Sequence, residues 1–218
     1  MMQHSILIVG AGPTGLTLAI ELARRNIPYR IIDKLPIPTH QSRALGIHAR
    51  TLEVFADMGV VDAILQHGDK MQTLTIHAKQ KTIAEIQYGR VESSYPFAII
   101  LPQTETEAVL TKRLHELGGA VERECELINF SVTTNTVRAT LHDKHGQTET
   151  IETPYLIGCD GAHSTVRHQL NLPFSGDATD ESWILADVQI DMATVKETFG
   201  LFLDAQGLLL LAPMGHNQ

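Results

Sequence analysis

Three glycines near the start of the chain have the spacing of a diphosphate-binding loop. Gly10, Gly12 and Gly15 directly follow the apolar run Ser5–Val9. In such a loop the first glycine permits a tight turn, the second lets a diphosphate approach the backbone, and the third lets a helix pack on the strand. The helix expected from Pro13 adds free N–H groups and a positive dipole end. The pattern predicts a site for the diphosphate of a dinucleotide.

An acidic residue stands where the ribose of that dinucleotide would bind. A second apolar run, Tyr29–Asp33, ends at Asp33, which comes 18 residues after Gly15. A carboxylate at this spacing can accept a hydrogen bond from a ribose hydroxyl. An ordinary strand–helix connection is the alternative, and the correctly placed acid argues against it. The predicted nucleotide-binding set also includes Pro13, Thr14 and Lys34.

A second glycine turn lies in the segment Gly158–Arg167. Asp160 comes at the end of an apolar strand pattern, and Ser164 or Thr165 can cap the helix that follows. The acid is therefore either a ligand-site residue or a structural cap at the end of the strand. His163 and Ser164 beside it could suggest a hydrolytic triad, but capping explains the serine better.

Together the two motifs resemble those of the flavoprotein aromatic hydroxylases of the p-hydroxybenzoate hydroxylase class. More narrowly, the chain is similar to the phenol-type FAD-dependent monooxygenases, from residue 5 to about residue 170 and more loosely to residue 213. The resemblance implies FAD as cofactor and NAD(P)H as co-substrate. In such enzymes NAD(P)H reduces FAD, which then reacts with oxygen and hydroxylates an aromatic ring. A small phenol-like substrate follows, and no catalytic side chain is assigned because no protein nucleophile is required.

The resemblance also assigns cofactor-binding roles. It implies that the three glycines of the first loop hold the FAD diphosphate and that Asp33 holds the adenosine ribose. Arg43 and Gln103 match family positions that contact FAD, although each could instead be an ordinary polar residue of its loop. Asp160 would organise the diphosphate region, in a motif that also serves NAD(P)H binding, and Arg167 is the matching arginine.

Two other functions stay open. One is a different FAD oxidoreductase on the same scaffold, such as an oxidase, an epoxidase or an isoprenoid reductase. The other is a truncated, non-catalytic nucleotide-binding module. The family has a third motif, a Gly-Asp pair beyond the substrate domain, and the chain contains no counterpart of it. We therefore expect the chain to be the N-terminal part of a longer enzyme.

The order of the patterns predicts a mixed α/β fold. We expect a Rossmann-like, three-layer FAD-binding domain over residues 1–173, with a β-rich insertion at about 70–97. Short strands over residues 120–152 predict an antiparallel meander within it. The start of a β-rich, incomplete substrate domain is expected over residues 174–218. Trp183 is expected to belong to the core or the packing of that domain, and the wall of a pocket is the alternative.

Helices are predicted wherever apolar residues recur at a period of 3.6. For the fourth of them, Thr104 with Glu107 three residues later predicts a capped start. The helices are expected at about residues 13–25, 49–58, 61–66, 104–117 and 164–170.

The composition of the chain limits which classes of partner it is expected to bind. The formal net charge is −8 without a block of basic residues, which argues against nucleic acid, and no apolar stretch is long enough for a membrane span. Two cysteines, Cys125 and Cys159, form no motif, and His142 and His145 suggest surface residues rather than a metal site. We expect a cytoplasmic protein, and self-association through the edges of an unfinished sheet.

Overall fold

The computed structural model describes residues 6–38, 44–79, 81–176, 183–186, 188 and 199–213. The chain divides into two compact units, and each is built from two separate stretches of sequence. The first unit takes its residues from Met1–Ser42 and Thr106–Thr179, and the second takes them from Arg43–Glu105 and Asp180–Gln218.

The helices and strands follow one another as numbered here. The helices in the described part of the chain are α1 (Pro13–Arg24), α2 (Ala49–Asp57), α3 (Val61–His67), α4 (Gln103–Glu116) and α5 (Thr165–Gln169), and a 3-10 turn spans Tyr88–Arg90. The strands are β1 (Ile6–Val9), β2 (Tyr29–Asp33), β3 (Gly46–Ile47), β4 (Asp69–Met71), β5 (Thr73–Ala78), β6 (Lys81–Gln87), β7 (Ala98–Ile100), β8 (Val121–Arg123), β9 (Glu126–Val132), β10 (Val137–His142), β11 (Thr148–Thr153), β12 (Tyr155–Gly158), β13 (Phe199–Asp204) and β14 (Gly207–Leu211).

A parallel sheet forms the centre of the first unit. Its strand order is β12-β1-β2-β8, and every neighbouring pair is parallel. In chain order the sheet therefore grows outward from β1 to β2 and β8 on one side, and then returns to add β12 on the other. Such a reversal of direction creates a crevice at the carboxyl ends of the two strands that flank it. Here those strands are β1 and β12.

The first helix follows the predicted pattern. Its inner face buries Leu16, Ala19 and Ile20, which recur at helical spacing. The chain leaves the helix through Asn26, whose φ of 55° is the left-handed conformation that asparagine tolerates. The prediction of a helix from Pro13 is confirmed.

The antiparallel meander is present as β9, β10 and β11. Leu127, Ala139 and Leu141 from its strands belong to one buried cluster with Leu7 and Ile32 of the parallel sheet. A tight turn joins β10 to β11, in which the Gly146 N–H donates to the Asp143 carbonyl oxygen over 2.9 Å. One part of the expected meander was wrong: β8 pairs with β2 in the parallel sheet. A strand of three residues is too short to show a periodicity.

The second unit contains two further sheets. One has the antiparallel order β3-β7-β4, and the other has the order β14-β13-β5-β6. In the latter, β13 pairs in parallel with β5, although the Thr75 hydroxyl and the Phe199 carbonyl oxygen that it reaches over 3.1 Å are 124 residues apart. Met71, Ala98 and Ile100 form a small buried cluster against which Leu74 and Phe199 pack. The mixed α/β class with several sheets is therefore confirmed.

Two local predictions were wrong. The fourth helix begins at Gln103, so Thr104 lies inside the helix and does not cap it. The proline before it explains the earlier start, because Pro102 cannot continue the strand and its carbonyl oxygen accepts the Glu105 N–H over 3.0 Å. Trp183 is 70% exposed and lies in a segment without helix or strand, so its predicted core position was wrong.

Candidate functional site

The first glycine loop lies between the ends of β2 and β12. Gly10 has a φ of +101°, and its N–H donates to the Ile32 carbonyl oxygen over 2.8 Å. A Cβ on Gly10 would lie 2.4 Å from the carbonyl oxygen of Cys159. Real Cβ atoms do not approach backbone that closely, so both the dihedral angle and the contact require glycine here.

The other two glycines shape the start of α1. A Cβ on Gly15 would lie 1.9 Å from the Gly10 carbonyl oxygen, so the missing side chain lets the helix press against the loop. A Cβ on Gly12 would meet no described atom within 4 Å. Gly12 is the N-cap residue of α1, and the first N–H groups of a helix have no acceptor inside it. The helix thus begins at an open space that an anion can enter.

Asp33 binds the glycine loop from the end of β2. Its Oδ2 accepts the Ala11 N–H over 2.7 Å, and its Oδ1 accepts the Leu35 N–H over 2.9 Å. The side chain is only 14% exposed. Because each carboxylate oxygen can accept more than one hydrogen bond, this fixed carboxylate keeps acceptor capacity for a ribose hydroxyl.

Sequence reasoning missed an arginine beside this acid. Arg123 is the last residue of β8 and is aligned with Asp33 in the parallel pairing of β8 with β2. Its Nη1 lies 3.7 Å from the Asp33 Oδ2. No signal in the sequence could have found it, because its position depends on the pairing of a three-residue strand about 90 residues from β2.

Asp160 faces the start of α5. Its Oδ1 accepts the Ser164 hydroxyl over 2.6 Å, and its Oδ2 accepts the Thr165 N–H over 2.6 Å. The Ser164 Oγ in turn accepts the Arg167 N–H over 3.0 Å, which confirms Ser164 as the helix cap. A serine hydroxyl that donates to Asp160 is not arranged as the nucleophile of a His163-based triad.

The remaining predicted residues of the first unit surround these loops. Pro13 is the first residue of α1, Thr14 is exposed on its first turn, and Lys34 is exposed directly after β2. The Arg167 Nη1 donates to the Ala162 carbonyl oxygen over 2.7 Å, and its guanidinium lies 4.7 Å from the centre of the Phe174 ring.

Two predicted cofactor residues are not among the described residues of the first unit. Gln103 is the first residue of α4 and is assigned to the second unit. Arg43 lies outside the described residues. Their predicted contacts with FAD stay predictions.

The thiol beside the loop is not set up as a nucleophile. Cys159 is half-buried and free, and burial, helped by the charge of Asp160, raises its pKa above the usual value. Within the described ranges, no group of three or more histidine, cysteine or acidic side chains could hold a metal ion. In the same part of the chain, no helix is long and apolar enough to cross a membrane.

Comparison with known proteins identifies the family. The family described as FAD binding domain matches residues 3–213, which is nearly the whole chain. The chain belongs to the FAD binding domain family. This membership agrees with the sequence resemblance, and the loops around β1 and β12 are the part of this FAD binding domain with the chemistry for a diphosphate and a ribose.

Several relatives of this FAD binding domain are named monooxygenases. The chain is 40% identical over 210 residues to 6-methylpretetramide 4-monooxygenase of Streptomyces rimosus, covering 95% of this chain and 37% of the relative. It is 33% identical over 183 residues to pentachlorophenol 4-monooxygenase of Sphingobium chlorophenolicum, covering 82% of this chain and 34% of the relative. The chain therefore spans a little more than a third of the length of these curated relatives.

A solved structure shares both the fold and the sequence similarity. The OxyS anhydrotetracycline hydroxylase from Streptomyces rimosus superimposes with a TM-score of 0.71 at 31% identity, over 81% of this chain and 36% of that one. The donor set of the first loop fits FAD as these similarities require: helix N–H groups suit a diphosphate, and a fixed carboxylate suits a ribose.

Proposed function

We propose that this chain is the FAD-binding part of a monooxygenase that uses NAD(P)H and oxygen to hydroxylate a small aromatic, phenol-like substrate. Membership of the FAD binding domain family supports the cofactor. The monooxygenase names of the relatives support the reaction, and the pentachlorophenol enzyme supports the substrate class. In this proposal residues 1–173 are the FAD-binding domain and residues 174–218 begin a substrate domain.

One observation carries the proposal for the site. The two motifs lie at the carboxyl ends of β1 and β12, which flank the reversal of strand order in the parallel sheet. They also touch, because Gly10 lies directly against the backbone of Cys159 and Asp160. Ligands of open α/β sheets bind in this crevice, and the two motifs supply the backbone donors and the acid for a dinucleotide there.

The residues would divide the cofactor between them. Gly12, Thr14 and Gly15 at the start of α1 would bind the diphosphate, and Asp33 would bind the adenosine ribose. Asp160 would hold the second loop in place against Gly10. Bound FAD supplies the transfer of electrons from NAD(P)H to oxygen. The proposed set further contains Gly10, Pro13, Lys34, Arg43, Gln103 and Arg167.

Binding of FAD is tested with a Gly12→Val variant of the 218-residue chain. A Cβ added at Gly12 meets no described atom within 4 Å, and Gly12 has a φ of −73°, so we expect the variant to fold. The side chain would instead fill the space at the start of α1. We expect the FAD dissociation constant, measured by flavin fluorescence, to rise at least about tenfold while the melting temperature stays constant.

Gly89→Val is the matched control, because a Cβ there also meets no described atom within 4 Å, and it lies in the other unit. Unchanged FAD binding by the control is expected. Equal FAD affinity of Gly12→Val and the unaltered chain, or no FAD binding by the unaltered chain, would contradict the proposed site.

The reaction is tested in the protein as its source organism makes it. With FAD bound, we expect a phenol to accelerate the oxidation of NADH or NADPH and one atom of ¹⁸O₂ to enter the product. Acceleration without incorporation of ¹⁸O would favour an oxidase or a reductase on the same scaffold. Cell fractionation and gel filtration of the same protein test the proposed cytoplasmic location and self-association.

A further inference from the structure

An arginine beside the predicted ribose acid has few partners. Arg123 and Asp33 end neighbouring parallel strands and are aligned in the pairing, with Nη1 and Oδ2 3.7 Å apart. Their side chains are only 19% and 14% exposed. At 3.7 Å the two groups form an ion pair but no hydrogen bond.

Another arginine of this unit, Arg30 on β2, has its guanidinium engaged in hydrogen bonds. Arg30 is 12% exposed and donates to both oxygens of Glu122 over 2.8 and 2.7 Å, and to Glu149 over 2.8 Å. These hydrogen bonds outweigh its burial and hold the pKa of Arg30 above its usual value. Arg30 therefore has a structural role that occupies its donors.

Arg123 differs in this respect. Within the described ranges its side chain makes the ion pair with Asp33 and no hydrogen bond. A guanidinium carries five N–H donors, and in the described structure none of those of Arg123 is used in a hydrogen bond. Its side-chain nitrogens are not among the buried atoms that lack a partner, so solvent reaches them and a ligand can accept their hydrogen bonds.

The location of Arg123 indicates which part of the dinucleotide it would contact. Arg123 lies at the carboxyl edge of the sheet, next to an acid that also accepts the Ala11 N–H of the glycine loop. The end of the dinucleotide expected beside Asp33 is the adenosine, which offers ribose and ring-nitrogen acceptors and a flat ring face. A guanidinium can donate to such acceptors and stack on such a face.

We propose that Arg123 binds the adenosine end of the dinucleotide and also orients Asp33 for the ribose. This inference rests on the proposed FAD-binding function and adds to it a residue outside the two glycine motifs. Arg123 acts on binding and on the position of Asp33, and it has no part in the redox step.

The test measures dissociation constants for FAD and for ADP, which contains the adenosine and the diphosphate but no flavin. Arg123→Gln should weaken binding of both ligands by about tenfold, with a melting temperature close to that of the unaltered chain. Arg123→Lys keeps the charge but loses the planar fork, so it should restore only part of the affinity. Arg138→Gln is the control: this arginine pairs with Glu152 on the meander, and its loss should leave both constants unchanged.

A double-mutant cycle separates the two roles. If Arg123 orients Asp33, the combined loss in Arg123→Gln with Asp33→Asn should be at least twofold smaller than the product of the single losses. A simple product would overturn the orienting role, and affinities of Arg123→Gln within twofold of the unaltered chain would overturn the inference entirely. Failure of the unaltered chain to bind either ligand would instead contradict the proposed function itself.

Discussion

Asp33 and Asp160 occupy equivalent places and bind different things. Asp33 is the last residue of β2, and Asp160 comes two residues after the end of β12 in the same parallel sheet. Both lie beside the first glycine loop. The carboxylate of Asp33 reaches 22 residues back to the Ala11 N–H and lies near Arg123. Among the described residues, the carboxylate of Asp160 accepts hydrogen bonds only from Ser164, Thr165 and Val166, four to six positions later at the start of α5.

The difference teaches that position at a strand end does not by itself define a ligand residue. The partners of Asp160 are those of a helix cap, so its main contribution is to the stability of the turn and of α5. The partners of Asp33 fix the carboxylate and leave it acceptor capacity, which is the arrangement that a binding residue needs. Substitutions at the loop and at the two acids should therefore separate effects on stability from effects on binding.

The largest expected effect comes from breaking the loop that both acids adjoin. Gly15→Ala places a Cβ 1.9 Å from the Gly10 carbonyl oxygen, a backbone atom that cannot move without disturbing both neighbouring strands. We expect the free energy of unfolding to fall by about 3 kcal/mol or more, measured by urea denaturation. Gly176→Ala, where a Cβ meets no described atom within 4 Å, should change it little. A normally stable Gly15→Ala protein would contradict the described contact.

Removing the capping acid should mainly affect stability. Asp160→Ala leaves the Ser164 hydroxyl and the Thr165 N–H without their acceptor. We expect a loss of about 2 kcal/mol in the free energy of unfolding, and a change in FAD affinity only as large as the loss of folded protein explains. Glu152→Ala, which removes an exposed ion pair with Arg138, is the control and should cost less than about 0.5 kcal/mol. A specific loss of FAD affinity with full stability would assign Asp160 to the ligand instead.

Changing the other acid should mainly affect binding. Asp33→Asn keeps the shape of the side chain but replaces one acceptor oxygen with a donor and removes the charge that faces Arg123. We expect a loss of about 1 kcal/mol in the free energy of unfolding and about a tenfold rise in the FAD dissociation constant. Asp204→Asn, in the other unit, should alter neither quantity. Equal effects of the Asp33 and Asp160 variants on binding would remove the contrast between the two acids.

A third aspartate, Asp143, should have the smallest effect on stability and serves as a reference for the variants of Asp33 and Asp160. Hydrogen bonds from the backbone of Gln147 and of His145 hold the pKa of Asp143 below its usual range. A lowered pKa in the folded state contributes stability above the pKa of the unfolded chain, about 4, and this contribution disappears as pH falls through the folded value. Asp143→Ala should therefore be slightly less stable than the unaltered chain at pH 7 and equally stable near pH 2, as measured by urea denaturation across pH. A difference that does not shrink in acid would show that the turn depends on something other than the charge.

The sequence was sufficient where the signals were local. The helix from Pro13, its end at Asn26 and the tight turn at Gly10 each depend on residues within one turn of chain. The cap at Ser164 belongs to the same class, since its partners are three and four residues away. These features could be predicted because propensity and spacing determine them.

The sequence was insufficient where distant segments had to pair. Nothing in Val121–Arg123 indicates a parallel partner about 90 residues earlier, so both the pairing of β8 with β2 and the position of Arg123 were missed. The parallel pairing of β13 with β5 has the same cause. Thr104 was wrongly predicted to cap the helix for a different reason. The helix begins directly after Pro102, at Gln103, so Thr104 is already its second residue.

The strand order of the parallel sheet has a consequence during translation. β1 and β2 are neighbours and can pair as soon as Asp33 has left the ribosome, whereas Cys159 and Asp160, which press against Gly10, are made 126 residues or more later. At about 5–20 residues per second this interval lasts on the order of ten seconds. During that time the nascent glycine loop can contact β2 but has no Cys159 or Asp160 to pack against. The loop therefore reaches its final conformation long after its own synthesis.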